Sequence, residues 1–178
     1  MGNTEAIPPS ARCELHLIFE AAAWQGLDFD CQKEAWEAAE KTLLATGIYN
    51  YACKVEIALL LADDERLQQL NRDFRSVDRP TNVLSFPFHV LSPLHLEDIP
   101  DKNHIFLGDV AISWQRIQEE SMAQNKKIRA HFIHMIVHSI LHLIGYDHET
   151  SDADAEQMEN LEIKILQQLE IDNPYIIK

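Results

Sequence analysis

His138, His142 and His148, with Gly145 between the second and third, are the residues whose types and spacing most directly suggest chemistry. Residues four apart on a helix lie on one face about a turn apart, so the imidazoles of His138 and His142 can converge on one ion. A glycine adopts the left-handed conformation at little cost and satisfies the last helix carbonyls, so Gly145 can stop the helix and let the chain bring His148 back. Three neutral nitrogens at roughly 2.0–2.1 Å leave a fourth tetrahedral position for water, the arrangement of a catalytic rather than a structural zinc. His138, His142 and His148 are therefore the expected metal ligands. Zn2+ is the expected ion, although the imidazole set also suits other divalent metals.

The spacing copies the long zincin pattern H-E-x-x-H-x-x-G-x-x-H, with Ser139 where the glutamate stands. In those proteases the glutamate takes a proton from the metal-bound water. Serine cannot do so. The metal cage survives while the peptidase base is lost, and proton transfer must come from elsewhere. His131 and His134 share the helix face, but a rise of 1.5 Å per residue puts His131 about 10 Å along the axis from His138. All of these histidines cannot bind one ion. His134 reads as a group behind the ligands or an RNA contact, and His131 as a hydrogen-bonded packing residue.

These side chains need elements that hold them. Residues 13–19 alternate as a half-buried strand, 54–61 form an apolar, β-branched run, and 82–86 and 105–112 read as two more strands. Helices are expected over 31–46, with Ala35, Trp36, Ala39, Leu43 and Leu44 on one side, and from Asp63 through Leu67, Leu70 and Phe74. Further helices are expected over 113–124, over 128–144, which carries the histidines, and from Ser151, with Asp154 three residues on, to about residue 170. Four strands interleaved with about five helices predict a single α+β domain with a mixed, roughly four-stranded sheet and a zincin-like histidine helix. Residues 1–12 read as a disordered N-terminal extension and 13–178 as the metal-dependent domain.

A chain of 178 residues, 46% of them apolar, can bury one substantial core, and no Gly/Ser- or Pro-rich linker divides it. Cys13, Cys31 and Cys53 are scattered, odd in number and without a C-x-x-C, which argues for a reducing compartment. No signal core and no run near the ~20 apolar residues of a membrane span is present, so the expected address is the cytoplasm, with no membrane partner. A net charge of −14 at first argues against nucleic acid. Its distribution changes that judgement, because the acid excess lies outside residues 66–129, where nine Lys and Arg face eight Asp and Glu. Arg66, Arg72, Arg75 and Arg79, with Lys126, Lys127 and Arg129, can form a local phosphate-binding cleft or ordinary solvated helix faces; the sequence leaves both open.

The segments Leu70-Asn-Arg-Asp-Phe-Arg75, Arg79-Pro-Thr-Asn-Val-Leu-Ser-Phe-Pro-Phe88, Leu107-Gly-Asp-Val-Ala-Ile112 and His138 to His148 resemble, in order and spacing, the YbeY family of bacterial metal-dependent rRNA maturation endoribonucleases. One departure is Ser139, where the family usually has glycine; a serine there can tighten a close approach by substrate or another strand. The resemblance implies a zinc-dependent endoribonuclease of single-stranded RNA, acting on the 3′ end of precursor 16S rRNA, with roles in ribosome maturation and quality control and the small ribosomal subunit and its proteins as partners. It also implies His138, His142 and His148 as metal ligands, and Arg75 and His138 as catalytic residues.

The side chains are suited to that chemistry. An ion on three neutral imidazoles keeps its charge of +2, enough to polarise a phosphoryl oxygen or lower the pKa of bound water toward ~7. Arg75 has the planar donors to hold a phosphate and offset charge in a pentavalent transition state; its plainer role is a helix-end pair with Asp73 or Asp78. Asp109 can orient a ligand imidazole or lie in the sheet. Phe86, Pro87 and Phe88 read as core and strand-end residues before a base-stacking platform. Asp152, Asp154, Glu156, Glu159 and Glu162 read as a solvated acidic face of the last helix. Two other classes compete with the nuclease: a metal-stabilised RNA-binding protein of ribosome maturation, and a metallohydrolase of another bond, protease included.

Overall fold

Every second residue of β2 (Lys54–Ala62), from Val55 to Leu61, turns into the main core. The strand is flanked by two parallel partners, β1 (Cys13–Phe19) and β4 (His104–Ser113). Parallel neighbours cannot be joined by a tight turn. The helix α1 (Cys31–Thr46) makes the crossover from β1 to β2, and α2 (Asp64–Arg75) with β3 (Val83–Pro87) carries the chain from β2 to β4. Because β3 pairs antiparallel with β4 alone, the sheet is mixed, with the order β1-β2-β4-β3 and β3 at an edge. The helices α3 (Trp114–Ala123), α4 (Ile128–Ile144) and α5 (Asp152–Gln168) complete the computed structural model, which describes residues 12–176.

The two faces of the sheet have different covers. Leu15, Val55, Ile57, Leu107, Val110 and Ile112 pack against α1, α4 and α5 in the large core, whereas Ala62, Leu84 and Ala111 on the other face meet Leu67 of α2. This is the expected single α+β domain with four strands and five helices among the described residues.

Helix starts follow side-chain chemistry. The carboxylates of Asp30 and Asp63 and the hydroxyl of Ser151 accept from backbone N–H groups of the first turns of α1, α2 and α5. Element bounds agree with the sequence reading to within two residues, but some side chains differ in orientation. Leu44 is exposed beside fully buried Leu43, because one step of about 100° carries it off the apolar stripe. Phe74 is 69% exposed and packs edge-on against Phe86 of β3, 5.2 Å between centroids. Of the expected N-terminal extension, residues 1–11 lie outside the described residues. The Arg12 guanidinium donates to the carbonyls of Tyr49, Ala52 and Cys53. Cys13 and Cys31 are free and buried, and burial pushes their thiols up to about 12 and about 11, so neither is a ready nucleophile. Among the described residues no helix is long and apolar enough to cross a membrane.

Candidate metal centre

The sequence of α4 is apolar on nearly every side, and the fold uses it as the central helix. Phe132, Ile133, Ile136, Val137, Ile140 and Leu141 are all within 1% of full burial. Each such side chain contributes roughly 1.5–3 kcal/mol on leaving water. In its last three turns the two partly exposed residues are His138 and His142, one turn apart, so the imidazoles emerge where the packing opens. The helix then stops at Gly145, whose φ is 100°, with the Gly145 N–H donating to the His142 carbonyl and the Tyr146 N–H to that of Leu141, each at 3.0 Å. A turn in which the Asp147 carboxylate accepts from the Glu149 N–H at 2.9 Å returns His148 to the other two histidines.

The three rings have centroids 4.6, 5.1 and 5.2 Å apart, and one nitrogen of each lies within 4.8 Å of the others. The Nε2 atoms of His138 and His142 are 3.1 Å apart. Two nitrogens bound to one tetrahedral ion at about 2.0–2.1 Å are separated by about 3.3–3.4 Å, so this pair already has the spacing of two ligands. Burial, followed by the neighbouring His138 and His148, lowers the pKa of His142 to about 4. Its imidazole is therefore neutral at neutral pH, the form that coordinates. The residues present thus fit one ion, which His138, His142 and His148 would hold.

Behind His138 stands a residue that the sequence reading misplaced. Glu162 is not on a solvated face but fully buried, with Oε1 2.7 Å from His138 Nδ1 and Oε2 3.0 Å from His134 Nε2; Oε2 also accepts from the Tyr175 hydroxyl. Burial alone would raise the Glu162 pKa, but the hydrogen bonds and charges of His134 and His138 outweigh it and hold the carboxyl at about 2. The signal was available in the spacing: Met158, Glu162, Ile165 and Leu166 recur on one buried face of α5. His134 lies behind the ligands, and His131 is a packing residue hydrogen-bonded to Glu120 at 2.6 Å.

The remaining candidates fall elsewhere. Ser139 is fully buried, its hydroxyl donating to the Ile136 carbonyl at 2.9 Å, while its own carbonyl accepts from Ser85 of β3 at 3.3 Å. The serine is therefore absorbed where β3 meets the helix, its hydroxyl committed to a helix carbonyl. Arg75 ends α2, the helix on the sheet face opposite α4; it is exposed and has no hydrogen bond or ion pair to the histidines among the described residues. Asp73 and Asp78 pair with Arg72 instead, leaving the Arg75 guanidinium without an ion pair among the described residues. Asp109 lies on β4 opposite Phe86 and touches no ligand imidazole. Arg129 is committed to Glu34.

A cleft of about 270 Å³ opens beside the ligands, walled by Asn82, Val83, Met158, Glu162 and Tyr175. A larger cavity of about 760 Å³ lies between the N-terminus of α4 and the C-terminal tail and contains none of the three ligands, so the smaller one is the relevant space. A second group, Glu14, Glu56 and His104, has ligand atoms equally close, but the Lys54 ammonium already occupies Glu14.

Gly145 allows a direct test of this geometry. A Cβ there would stand 2.2 Å from the Leu91 carbonyl oxygen, at a φ that side chains rarely adopt. Gly145→Ala should lose about 1–3 kcal/mol from backbone strain alone, read as a lower denaturation midpoint. Zinc affinity should fall with it, because the strain lies between His142 and His148. An unchanged midpoint would show that the loop yields freely.

A mixed-sheet α+β domain with three convergent imidazoles at the open end of its central helix defines the class: a candidate single-ion metal centre. The family model for endoribonuclease YbeY matches residues 24–170, and the chain belongs to that family. It is 47% identical to the endoribonuclease YbeY of Acinetobacter baumannii over 136 residues, covering 76% of this chain and 82% of that one. It is 41% identical to the endoribonuclease YbeY of Dinoroseobacter shibae over 171 residues, 93% of this chain and 92% of that one. The solution structure of TM1509 from Thermotoga maritima superposes with a TM-score of 0.56 at 24% identity, covering 87% of this chain and 88% of that chain, a likeness of fold.

Proposed function

We propose that the protein is a zinc-dependent endoribonuclease of single-stranded RNA, acting in the cytoplasm on the 3′ end of precursor 16S rRNA in small-subunit maturation and quality control. The observation that carries the reading is the convergence of His138, His142 and His148 in a chain whose relatives are named endoribonucleases. When bound, the metal supplies positive charge beside a phosphoryl oxygen and makes water more acidic. The protein supplies the rest. Three neutral imidazoles hold the ion without cancelling its charge, Glu162 fixes the ring of His138, and the guanidinium of Arg75 holds a phosphate of the bound strand. A peptidase reading finds no base, since the side chain at position 139 is a buried hydroxyl facing a helix carbonyl.

The test is cleavage of a labelled single-stranded RNA spanning the 3′ end of precursor 16S rRNA, with zinc, after chelation and after zinc is restored, beside a casein digest. Cutting of RNA alone that follows zinc is expected. A folded, zinc-loaded protein that cuts no RNA in isolation or on precursor small subunits would overturn the nuclease reading in favour of a binding role.

A further inference from the structure

We propose that Glu162 is a positioning residue for the ligand His138 and that, through Tyr175, it ties the C-terminal tail to metal occupancy. The inference rests on the reading of the three histidines as ligands and not on RNA cleavage. A carboxylate has no proton to give, so each of its partners must donate. His138 must therefore carry its hydrogen on Nδ1, 2.7 Å from Oε1, and present Nε2 as a lone pair. That same Nε2 is the atom 3.1 Å from His142. Glu162 thus selects both the tautomer and the ring orientation that coordination needs. His134, donating from Nε2 to Oε2 at 3.0 Å, holds the carboxylate from the other side.

Glu162 is fully buried, and a buried carboxylate is costly unless positive charge reaches it. An ion on His138 supplies such charge through the imidazole, so the carboxylate and the ion favour one another. Tyr175 shares the arrangement. It follows α5 in the tail, donates its hydroxyl to Oε2, sets its ring 5.7 Å from that of His134 and walls the metal cleft. Linkage then requires symmetry: whatever factor the Tyr175 hydroxyl adds to metal affinity, the metal adds to the seating of the tail.

The test uses the full chain with zinc as the probe. Zinc affinity is measured by competition with a chromophoric chelator for the native protein, Glu162→Gln and Tyr175→Phe, and amide exchange of residues 171–176 is followed with zinc and with EDTA. Glu162→Gln should weaken zinc by about 10- to 100-fold, and Tyr175→Phe by roughly two- to tenfold, the size of one hydrogen bond. Zinc should slow exchange in the native tail by the factor that Tyr175→Phe costs in affinity. A Glu162 that merely satisfies buried histidines predicts the opposite split, with lower melting temperatures, native zinc affinity in both variants and a tail indifferent to zinc; that result overturns the proposal. Should Glu162→Gln fail to fold, Tyr175→Phe, altered at a half-exposed side chain, decides alone. A native chain that binds no zinc would overturn the ligand reading itself, and loss of RNA cleavage bears on neither measurement.

Discussion

Alanine at position 142 is expected to abolish zinc binding and RNA cleavage together while leaving the domain folded. His142 is the better of the two helix ligands to remove. Its ring meets His138 and the Tyr146 backbone and is partly exposed, so truncation leaves no buried side-chain charge unpaired. His138→Ala would instead orphan one oxygen of the buried Glu162, confusing loss of metal with loss of stability. With two nitrogens left, zinc affinity should fall by more than the roughly 10- to 100-fold that an outer partner costs. Cleavage should drop by at least about 100-fold, the low end for a group that stabilises transition-state charge. Relative to the metal-free native chain, the metal-free variant should lose no more than the roughly 0.5–3 kcal/mol of an ordinary substitution, since the ring is only partly buried. Metal analysis, a cleavage gel and calorimetry read the three quantities. Retained cleavage at the native rate would dissociate the histidines from catalysis.

Arg75→Ala should lower kcat/KM for RNA by about 100- to 1,000-fold without measurable loss of zinc. Arg75 is exposed and its neighbouring carboxylates are taken by Arg72, so nothing in the fold depends on its guanidinium beyond a favourable charge at the end of α2. Arg75→Lys should recover only part of the rate, because a point charge lacks the planar pair of donors that matches a phosphate. The expectation makes a demand on the path of the RNA. The helix that Arg75 ends packs on the sheet face opposite α4, and β3 is the nearby edge strand, so an RNA held at both sites would pass by that edge. A variant that cuts at the native rate would place the RNA wholly on the histidine side.

The elements and the convergence of the three imidazoles were legible in the sequence because both depend on local periodicity: 2 for the strands, 3.6 for the helices, and a glycine where α4 stops. Glu162 was missed although it keeps the helical spacing of Met158, Ile165 and Leu166, because an acidic side chain amid Asp152, Asp154, Glu156 and Glu159 reads as solvated. The same limit governs Arg75 and Asp109. Sequence gives their types, whereas the face of the sheet each occupies is decided by strand register and by which helix covers which side. Leu44 shows the converse error, an apolar residue assigned to the core that lies one step off the stripe.

The ligand-bearing helix is also the helix about which the hydrophobic interior is assembled, and this joins two properties that many enzymes keep apart. An ion held at the end of α4 would pull on the same element that the sheet, α1 and α5 enclose, so occupancy would be felt by the whole cooperative unit rather than by a surface loop. At a free concentration of 100 times Kd, binding to the native state alone adds about 2.7 kcal/mol, a large fraction of the margin by which a domain of this size stays folded. Scarcity of the ion would therefore thin the population of intact molecules as well as silence them, and cellular abundance of the protein would then follow its metal supply.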